Sequence, residues 1–193
     1  MYGKLGHGNE DGHSTPKKVE ALKGLTISQI ACGSRHTAVI TLPGEVYTWG
    51  DKENGVAGHG DAEGHQYIPK LLSKLSQIKV VQLSACGFHT GCLSDNGEVF
   101  IWGEGKFGRL GHGNERNQYG PKLVEEFKLR SLDGKTPKQI SCGGFHTAVC
   151  TEKMEPCLPS AAGSMDNWVM AIKSTRSPRA TSLRKLRVDG LTL

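Results

Sequence analysis

Cysteine and histidine recur together in this 193-residue chain, and both side chains can bind metal ions. Cys32 stands four residues before His36, and Cys142 stands four residues before His146, which is close to the spacing of zinc ligands. The equivalent segment around His89 does not keep this spacing. A zinc site also needs about four ligands in one place. We therefore expect no metal site and interpret the three histidines as structural.

Residues 103–108 form a glycine pattern that is typical of dinucleotide-binding loops. The segment reads Gly-Glu-Gly-Lys-Phe-Gly and follows a predicted strand. A binding loop of this kind must open a helix whose N-terminus faces the phosphates. Here Arg-Leu-Gly-His-Gly follows over residues 109–113, and glycine is unfavourable inside a helix. We interpret the pattern as turn geometry and expect no cofactor.

The sequence has no recognisable catalytic motif, which favours binding over catalysis. The sequence contains no hydrolase elbow, no P-loop and no H-E-x-x-H motif, so we predict no catalytic residue and no enzymatic activity. The net charge of +5 is mild, and residues 1–151 are nearly neutral. No apolar run approaches the roughly 20 residues that cross a bilayer. Since the N-terminus has no apolar signal region, we expect an intracellular protein, with cytoplasm and nucleus not distinguished.

Three sequence blocks recur at a spacing of about 53 residues, which is the dominant pattern of the chain. The blocks are a Gly-His-Gly segment preceded by Leu or Ala, a G-x-V-x-x-W-G segment, and a segment that ends in His-Thr. Their signature residues are the glycines Gly6, Gly58 and Gly111, the tryptophans Trp49 and Trp102, and the histidines His36, His89 and His146. We predict that the tryptophans fill the core and that the histidines satisfy buried backbone groups at strand starts.

Each repeat predicts three or four short strands. Residues 36–41 and 46–49 are rich in β-branched and aromatic residues, and Leu-Pro-Gly at 42–44 separates them as a turn. Several short strands at this period are typical of a β-propeller blade. We divide residues 1–151 into a partial unit (1–43) and two full units (44–96 and 97–151).

Residues 152–193 differ from the repeats and are predicted to be a basic, mostly irregular tail. Only two of the 26 glycines lie here. A run rich in Arg and Lys over residues 174–187 could act as a nuclear address, a phosphorylation target or a contact for an acidic partner, and a solvated disordered end is the simpler interpretation. Residues 167–172 are predicted to form one short helical turn.

The three recurring blocks together resemble the repeat family of the regulator of chromosome condensation. The resemblance covers residues 1 to about 151 and implies a seven-bladed propeller. The repeats here supply roughly three blades, so the fold class expected is an all-β, incomplete β-propeller. We expect the missing blades to come from a longer parent chain or from another copy.

The resemblance implies a scaffold that binds other proteins. The residue just before each signature histidine lies in a loop, differs in part between repeats and is aromatic in two of them. Arg35, Phe88 and Phe145 are therefore predicted to bind partners, together with Lys52 and Lys106. One alternative is a guanine-nucleotide exchange regulator of a Ran-like small GTPase with a chromatin contact. Another is the substrate-binding part of a ubiquitin ligase. None of the three loop positions carries the acidic residue expected of an exchange factor.

Overall fold

The computed structural model describes residues 2–61, 63–127, 135–153, 168–173 and 182–187, and their strands form three antiparallel sheets of four strands each. We call these sheets blades A, B and C. Blade A contains β1 (Ile27–Cys32), β2 (His36–Thr41), β3 (Val46–Asp51) and β4 (His65–Leu71); blade B contains β5 (Val80–Cys86), β6 (His89–Ser94), β7 (Val99–Gly103) and β8 (Gln118–Leu123); blade C contains β9 (Lys135–Cys142), β10 (His146–Lys153), β11 (Trp168–Lys173) and β12 (Ser182–Arg187).

The regular elements confirm the all-β, incomplete propeller. Neighbouring strands in each sheet are consecutive in the chain, as expected when short turns join antiparallel strands. The short 3-10 helices are Glu20–Leu22, Glu53–Gly55, Ser73–Leu75, Lys106–Gly108 and Glu125–Phe127. Within the part of the chain that the structure describes, no helix has the length and apolar character needed to cross a membrane.

The sequence repeats and the blades are out of phase. The repeat at 44–96 contributes β3 and β4 to blade A and β5 and β6 to blade B. The repeat at 97–151 is divided in the same way between blades B and C. The chain therefore crosses each interface between blades within a repeat, and we call each such interface a seam.

Apolar side chains fill both seams. Strand β1 contacts β5, and β5 contacts β9, so these three strands follow one another as the equivalent first strands of their blades. At the A–B seam Leu83 packs in one buried cluster with Ala38 and Ile40. At the B–C seam Ile140 packs in a second cluster with Leu93. Each seam thus buries one face of each of the two blades that meet there, and blade B takes part in both seams.

The C-terminal range contains two strands of blade C. The prediction of a helical turn over residues 167–172 is wrong, because β11 occupies Trp168–Lys173 and pairs with β10. An isolated helical turn has a costly nucleus, whereas the edge of β10 offers backbone partners along its length. Strand β12 also lies in the range predicted to be an irregular tail. The remaining residues between 154 and 193 lie outside the described residues.

The loops that carry the residues predicted to bind partners lie at one end of the blades. Because consecutive strands are antiparallel, the turns after β1, β5 and β9 lie at the same end as the loops after β3 and β7. We call this the upper end. It carries all five residues predicted to bind partners.

Candidate functional site

The signature histidines connect neighbouring blades below the upper loops. His36 Nε2 lies 2.7 Å from Thr90 Oγ1 in the next blade, and His89 Nε2 lies 2.9 Å from Thr147 Oγ1. Because the Thr90 hydroxyl donates to the Val56 carbonyl, its oxygen accepts from the ring. The prediction of direct contacts to backbone groups is therefore wrong for the Nε2 atoms, since a hydroxyl lies between the ring and the carbonyl.

Burial keeps these two imidazoles neutral. It lowers the pKa of His36 to about 4, against an opposing effect of Asp51, and it lowers the pKa of His89 to about 3 with a smaller contribution from the Arg109 charge. The Nδ1 atom of each ring is buried without a hydrogen-bond partner. His146, at the same motif position in blade C, is exposed.

The tryptophans fix the upper loops through a shared backbone acceptor. Trp49 Nε1 donates to the Lys4 carbonyl at 2.8 Å, and the Thr37 hydroxyl donates to the same oxygen at 2.9 Å. In blade B, Trp102 Nε1 donates to the Val56 carbonyl at 3.1 Å. Both indoles are buried, with exposures of 3% and 0%, which confirms their predicted place in the core.

The signature glycines allow the loop backbone to lie against the indoles. A Cβ at Gly6 would lie 2.8 Å from the indole nitrogen of Trp49, and a Cβ at Gly58 would lie 2.7 Å from that of Trp102. Gly6, Gly58 and Gly111 all have positive φ angles, which other residues rarely adopt. The glycine is therefore required both by the close approach and by the backbone conformation.

Arg35 links two aromatic rings at the upper end. Its guanidinium carbon lies 4.4 Å from the centroid of the Tyr2 ring and 5.3 Å from that of Phe88. The same group forms ion pairs with Asp51 at 3.4 Å and Glu53 at 3.1 Å. Because its charge already has these partners, the arginine positions the rings of Tyr2 and Phe88.

A second arginine, Arg109, supports a more exposed aromatic pair. Arg109 is buried, forms an ion pair with Glu104 at 2.9 Å, and lies 5.7 Å and 5.1 Å from the ring centroids of Phe107 and Phe145. The two phenylalanine rings meet edge to face at 5.5 Å. Their exposures are 44% and 63%. We call Phe107 and Phe145 the aromatic pair.

The sequence did not identify Phe107 or Arg109 as site residues. Phe107 has a φ of 62°, an uncommon conformation for a bulky residue that marks either a turn or a functional position. Arg109 occupies the repeat position of Val56. A charged residue where the preceding repeat has a buried valine was the signal that could have identified it.

The two predicted lysines have different surroundings. Lys52 forms an ion pair with Asp61 at 3.1 Å. Lys106 is exposed directly before Phe107, and its carbonyl accepts a hydrogen bond from Arg109 Nε at 3.0 Å. The structure thus brings Lys106 close to the aromatic pair, whereas Lys52 belongs to the preceding loop.

The described residues also test the metal and nucleotide motifs. Within them, no group of three or more His, Cys, Asp or Glu side chains is placed to hold a metal ion. Residues 103–108 end in the 3-10 turn Lys106–Gly108, which confirms the turn interpretation of the glycine pattern. The five cysteines in the described ranges are free thiols.

Models of a known repeat family match the ranges that contain the recurring sequence blocks. The model for the regulator of chromosome condensation (RCC1) repeat matches residues 1–40, 43–93 and 96–150, and a second model of the same description matches residues 27–56. The chain is 35% identical over 146 residues to the ultraviolet-B receptor UVR8 of Arabidopsis thaliana, covering 76% of this chain and 32% of that protein. It is 35% identical over 165 residues to human E3 ubiquitin-protein ligase HERC2, covering 85% of this chain and 3% of the ligase.

Solved structures share the fold. Human WBSCR16 superposes with a TM-score of 0.70 at 22% identity, over 97% of this chain and 45% of that one. Prp20p of Saccharomyces cerevisiae, described with its binding properties to Gsp1p and histones, gives 0.60 at 21% identity, over 69% of this chain and 32% of that one. The chain therefore spans less than half of each of these structures.

Proposed function

The chain belongs to the regulator of chromosome condensation (RCC1) repeat family, and we propose that it binds a partner protein through the aromatic pair at its upper end. A repeat-based protein-interaction scaffold is the function that the fold and the family support. The finer assignment, to Phe107 and Phe145, comes from the side-chain geometry. Binding rather than catalysis is also what we propose for the chain as a whole.

One observation carries this proposal: two adjacent phenylalanine rings are exposed on top of a buried, ion-paired arginine. Aromatic side chains are enriched among the residues that dominate binding energy. Loops held by a rigid scaffold commonly carry recognition. The ion pair of buried Arg109 with Glu104 fixes the position of both rings, so less conformational freedom is lost on binding.

The surroundings of the pair suggest the chemistry of the partner. Lys106 is exposed beside Phe107, whereas the Glu104 carboxylate is already paired with Arg109. We propose a partner segment with one large apolar side chain flanked by an acidic residue. The apolar side chain would cover the two rings, and the acid would lie near the lysine ammonium group.

A peptide selection tests this proposal without a known partner. Random peptides displayed on phage are selected against the full chain, and the affinities of the enriched sequences are measured by fluorescence polarisation. We expect enriched peptides to combine an apolar residue with an acid. Replacing both Phe107 and Phe145 by alanine should weaken binding by about 30-fold, which corresponds to the roughly 2 kcal/mol of an interface hot spot.

The matched control is Ile68→Ala, because Ile68 is 49% exposed on β4, away from the aromatic pair. This variant should bind the selected peptides like the wild type. Equal binding of the peptides to the double phenylalanine variant would contradict the assignment of the site.

Nucleotide exchange remains a second proposal with less support. The likeness to Prp20p is at 21% identity and bears on the fold. The upper-loop positions before the signature histidines are Arg35, Phe88 and Phe145, none of them acidic. A fluorescent-nucleotide release assay with a Ran-like small GTPase tests this proposal, since an exchange regulator would accelerate release and a scaffold would not.

We also propose a ligase-related role and an intracellular location. Recruitment of a ligase substrate would be one use of the same surface, and HERC2 is named an E3 ubiquitin-protein ligase. The free thiols of Cys32, Cys86, Cys92, Cys142 and Cys150 support an intracellular, reducing location. The basic run over residues 174–187 would be the contact for a chromatin component.

A further inference from the structure

Two asparagine–glycine pairs occur in the sequence, and the fold places them in different surroundings. Asn96 and Gly97 lie in the turn between β6 and β7, at the end of the blades opposite the upper loops. Asn54 and Gly55 lie in the upper loop after β3. An asparagine before a glycine can lose its side-chain amide spontaneously, because the glycine nitrogen can attack the side-chain carbon and no Cβ obstructs its approach.

Asn96 is free to react. Its side chain is exposed in the turn, and it has no hydrogen-bond partner among the described residues. The Gly97 N–H donates to the Ser94 carbonyl at 3.0 Å, so this bond must break before the nitrogen can attack. Exposed turns open locally at a small cost in free energy. Both reacting groups are therefore accessible while the rest of blade B stays folded.

Asn54 is held in place by the neighbouring blade. Its Oδ1 accepts a hydrogen bond from Asn117 Nδ2 at 3.0 Å, and Asn117 Oδ1 in turn accepts the Gly105 N–H at 2.9 Å. Gly55 is buried, and a Cβ there would lie 2.5 Å from the Cα of Tyr119 on β8. The side chain and the glycine backbone must both leave these contacts before they can react with each other.

We propose that Asn96 is a site of spontaneous deamidation and that the fold protects Asn54. The Gly97 nitrogen gives up its proton to water and bonds to Asn96 Cγ, while the side-chain nitrogen takes up a proton and leaves as ammonia. The product is a cyclic imide. Water then opens the ring at the side-chain carbonyl, which gives aspartate, or at the main-chain carbonyl, which gives isoaspartate. The net reaction consumes water and releases ammonia, so it needs no oxidant.

The isoaspartate product alters the end of the B–C seam opposite the upper loops. A Cβ at Gly97 would lie 2.6 Å from Thr136 Cγ2, so the backbone of this turn lies against the first strand of blade C. Two bonds close the turn: the Ser94 N–H donates to the Glu98 carbonyl at 2.9 Å, and the Glu98 N–H donates to Ser94 Oγ at 3.0 Å. Isoaspartate adds a methylene group to the main chain of the turn. The longer turn cannot keep these bonds and the contact with Thr136 together, so the seam loosens.

Peptide mapping of the full chain after incubation at neutral pH and 37 °C tests the proposal. Trypsin separates the two sites, because residues 53–70 and 80–106 form different peptides with one asparagine each. Mass spectrometry measures deamidation in each peptide, and methylation by an isoaspartyl methyltransferase identifies isoaspartate. In the folded chain Asn54 should react at least about tenfold more slowly than Asn96, since its contacts must break first.

The same incubation in urea is the control for the sequence alone, and both sites should then react at similar rates. Asn117→Ala removes the hydrogen bond to Asn54 and should speed the reaction there by about threefold, with no change at Asn96. The comparison of folded and unfolded wild type does not depend on how well this variant folds. Absence of isoaspartate at Asn96, or similar rates at the two sites in the folded chain, overturns the proposal.

Hydrogen exchange tests the effect on the seam. The Ile140 amide donates to Gln82 Oε1 across the B–C seam at 2.8 Å. In the chromatographically separated isoaspartate form, this amide should exchange about tenfold faster than in the unmodified chain. Asn96→Asp is the matched control, since it adds the charge without lengthening the backbone, and it should exchange like the wild type. Equal exchange in the isoaspartate form and in Asn96→Asp overturns the inferred effect on the seam.

Discussion

Acid should weaken the seams because two neutral histidines hold them together. His36 and His89 are buried between blades, with folded-state pKa values of about 4 and 3. In the unfolded chain each ring titrates near its ordinary value of about 6.5. Below that pH the unfolded state binds more protons than the folded state, so the free energy of unfolding falls as the pH falls. The loss levels off only below the folded-state pKa values.

The size of the effect follows from these pKa values. Between pH 7.5 and pH 5.0, each histidine should lower the free energy of unfolding by about 2 kcal/mol, and the two together by about 4 kcal/mol. This is a large part of the roughly 5–15 kcal/mol that stabilises a typical domain. Burial also lowers the pKa values of His59 and His112, so the total loss should exceed that of the two seam histidines.

Urea unfolding followed by tryptophan fluorescence at pH 7.5 and pH 5.0 measures the effect. Replacing both His36 and His89 by glutamine should remove about 4 kcal/mol of the pH dependence, because the amide does not titrate. His146→Gln is the control, since it changes the same motif position in blade C but leaves His36 and His89 in place; it should retain the roughly 4 kcal/mol that these two histidines contribute. An equal pH dependence in the double variant and the wild type would refute the reasoning.

Two further substitutions test the packing of the upper loops and of the B–C seam. Gly58→Ala should lower the free energy of unfolding by about 1–3 kcal/mol in thermal melts, because its Cβ would meet Trp102. Gly60→Ala, with a positive φ but open space around its Cβ, should lower the free energy of unfolding by less, and equal losses in the two variants would argue against the close approach to Trp102. Gln82→Ala should lower the free energy of unfolding by about 1–3 kcal/mol and speed hydrogen exchange at the Ile140 amide, which loses its acceptor. Unchanged exchange at this amide would mean that the glutamine does not hold the seam.

The sequence was sufficient to predict the strands of a blade, but not to show where one blade ends and the next begins. The recurrence of Trp49 at Trp102 and of His36 at His89 defines a period and predicts its strands. A period has no intrinsic origin, however, so it cannot show that β3 pairs with the β2 of the preceding repeat. The strand at Trp168–Lys173 was missed because it lacks the G-x-V-x-x-W-G motif. Its pairing places Ile172 opposite Thr147, where Trp49 lies opposite Thr37 in blade A.

The sequence could predict only part of the candidate site. Phe145 could be selected because it stands directly before a signature histidine in a loop. Its neighbour Phe107 could not, since their contact joins a loop of blade B to a turn of blade C. Arg109 looked like part of a glycine-rich loop, and only the fold shows that its carbonyl accepts from Thr147 while its guanidinium group lies under Phe145.

The aromatic pair lies on the B–C seam, so the partner binding proposed for it and the stability of that seam must be linked. Phe107 follows β7 of blade B and Phe145 precedes β10 of blade C. A partner that covers both rings binds only while the two blades are in contact, and it therefore stabilises the seam by mass action. By the same linkage, conditions that weaken the His89–Thr147 contact weaken partner binding. Lowering the pH from 7.5 to 5.0 should thus reduce the affinity for a selected peptide, and the reduction should be smaller when His89 is glutamine.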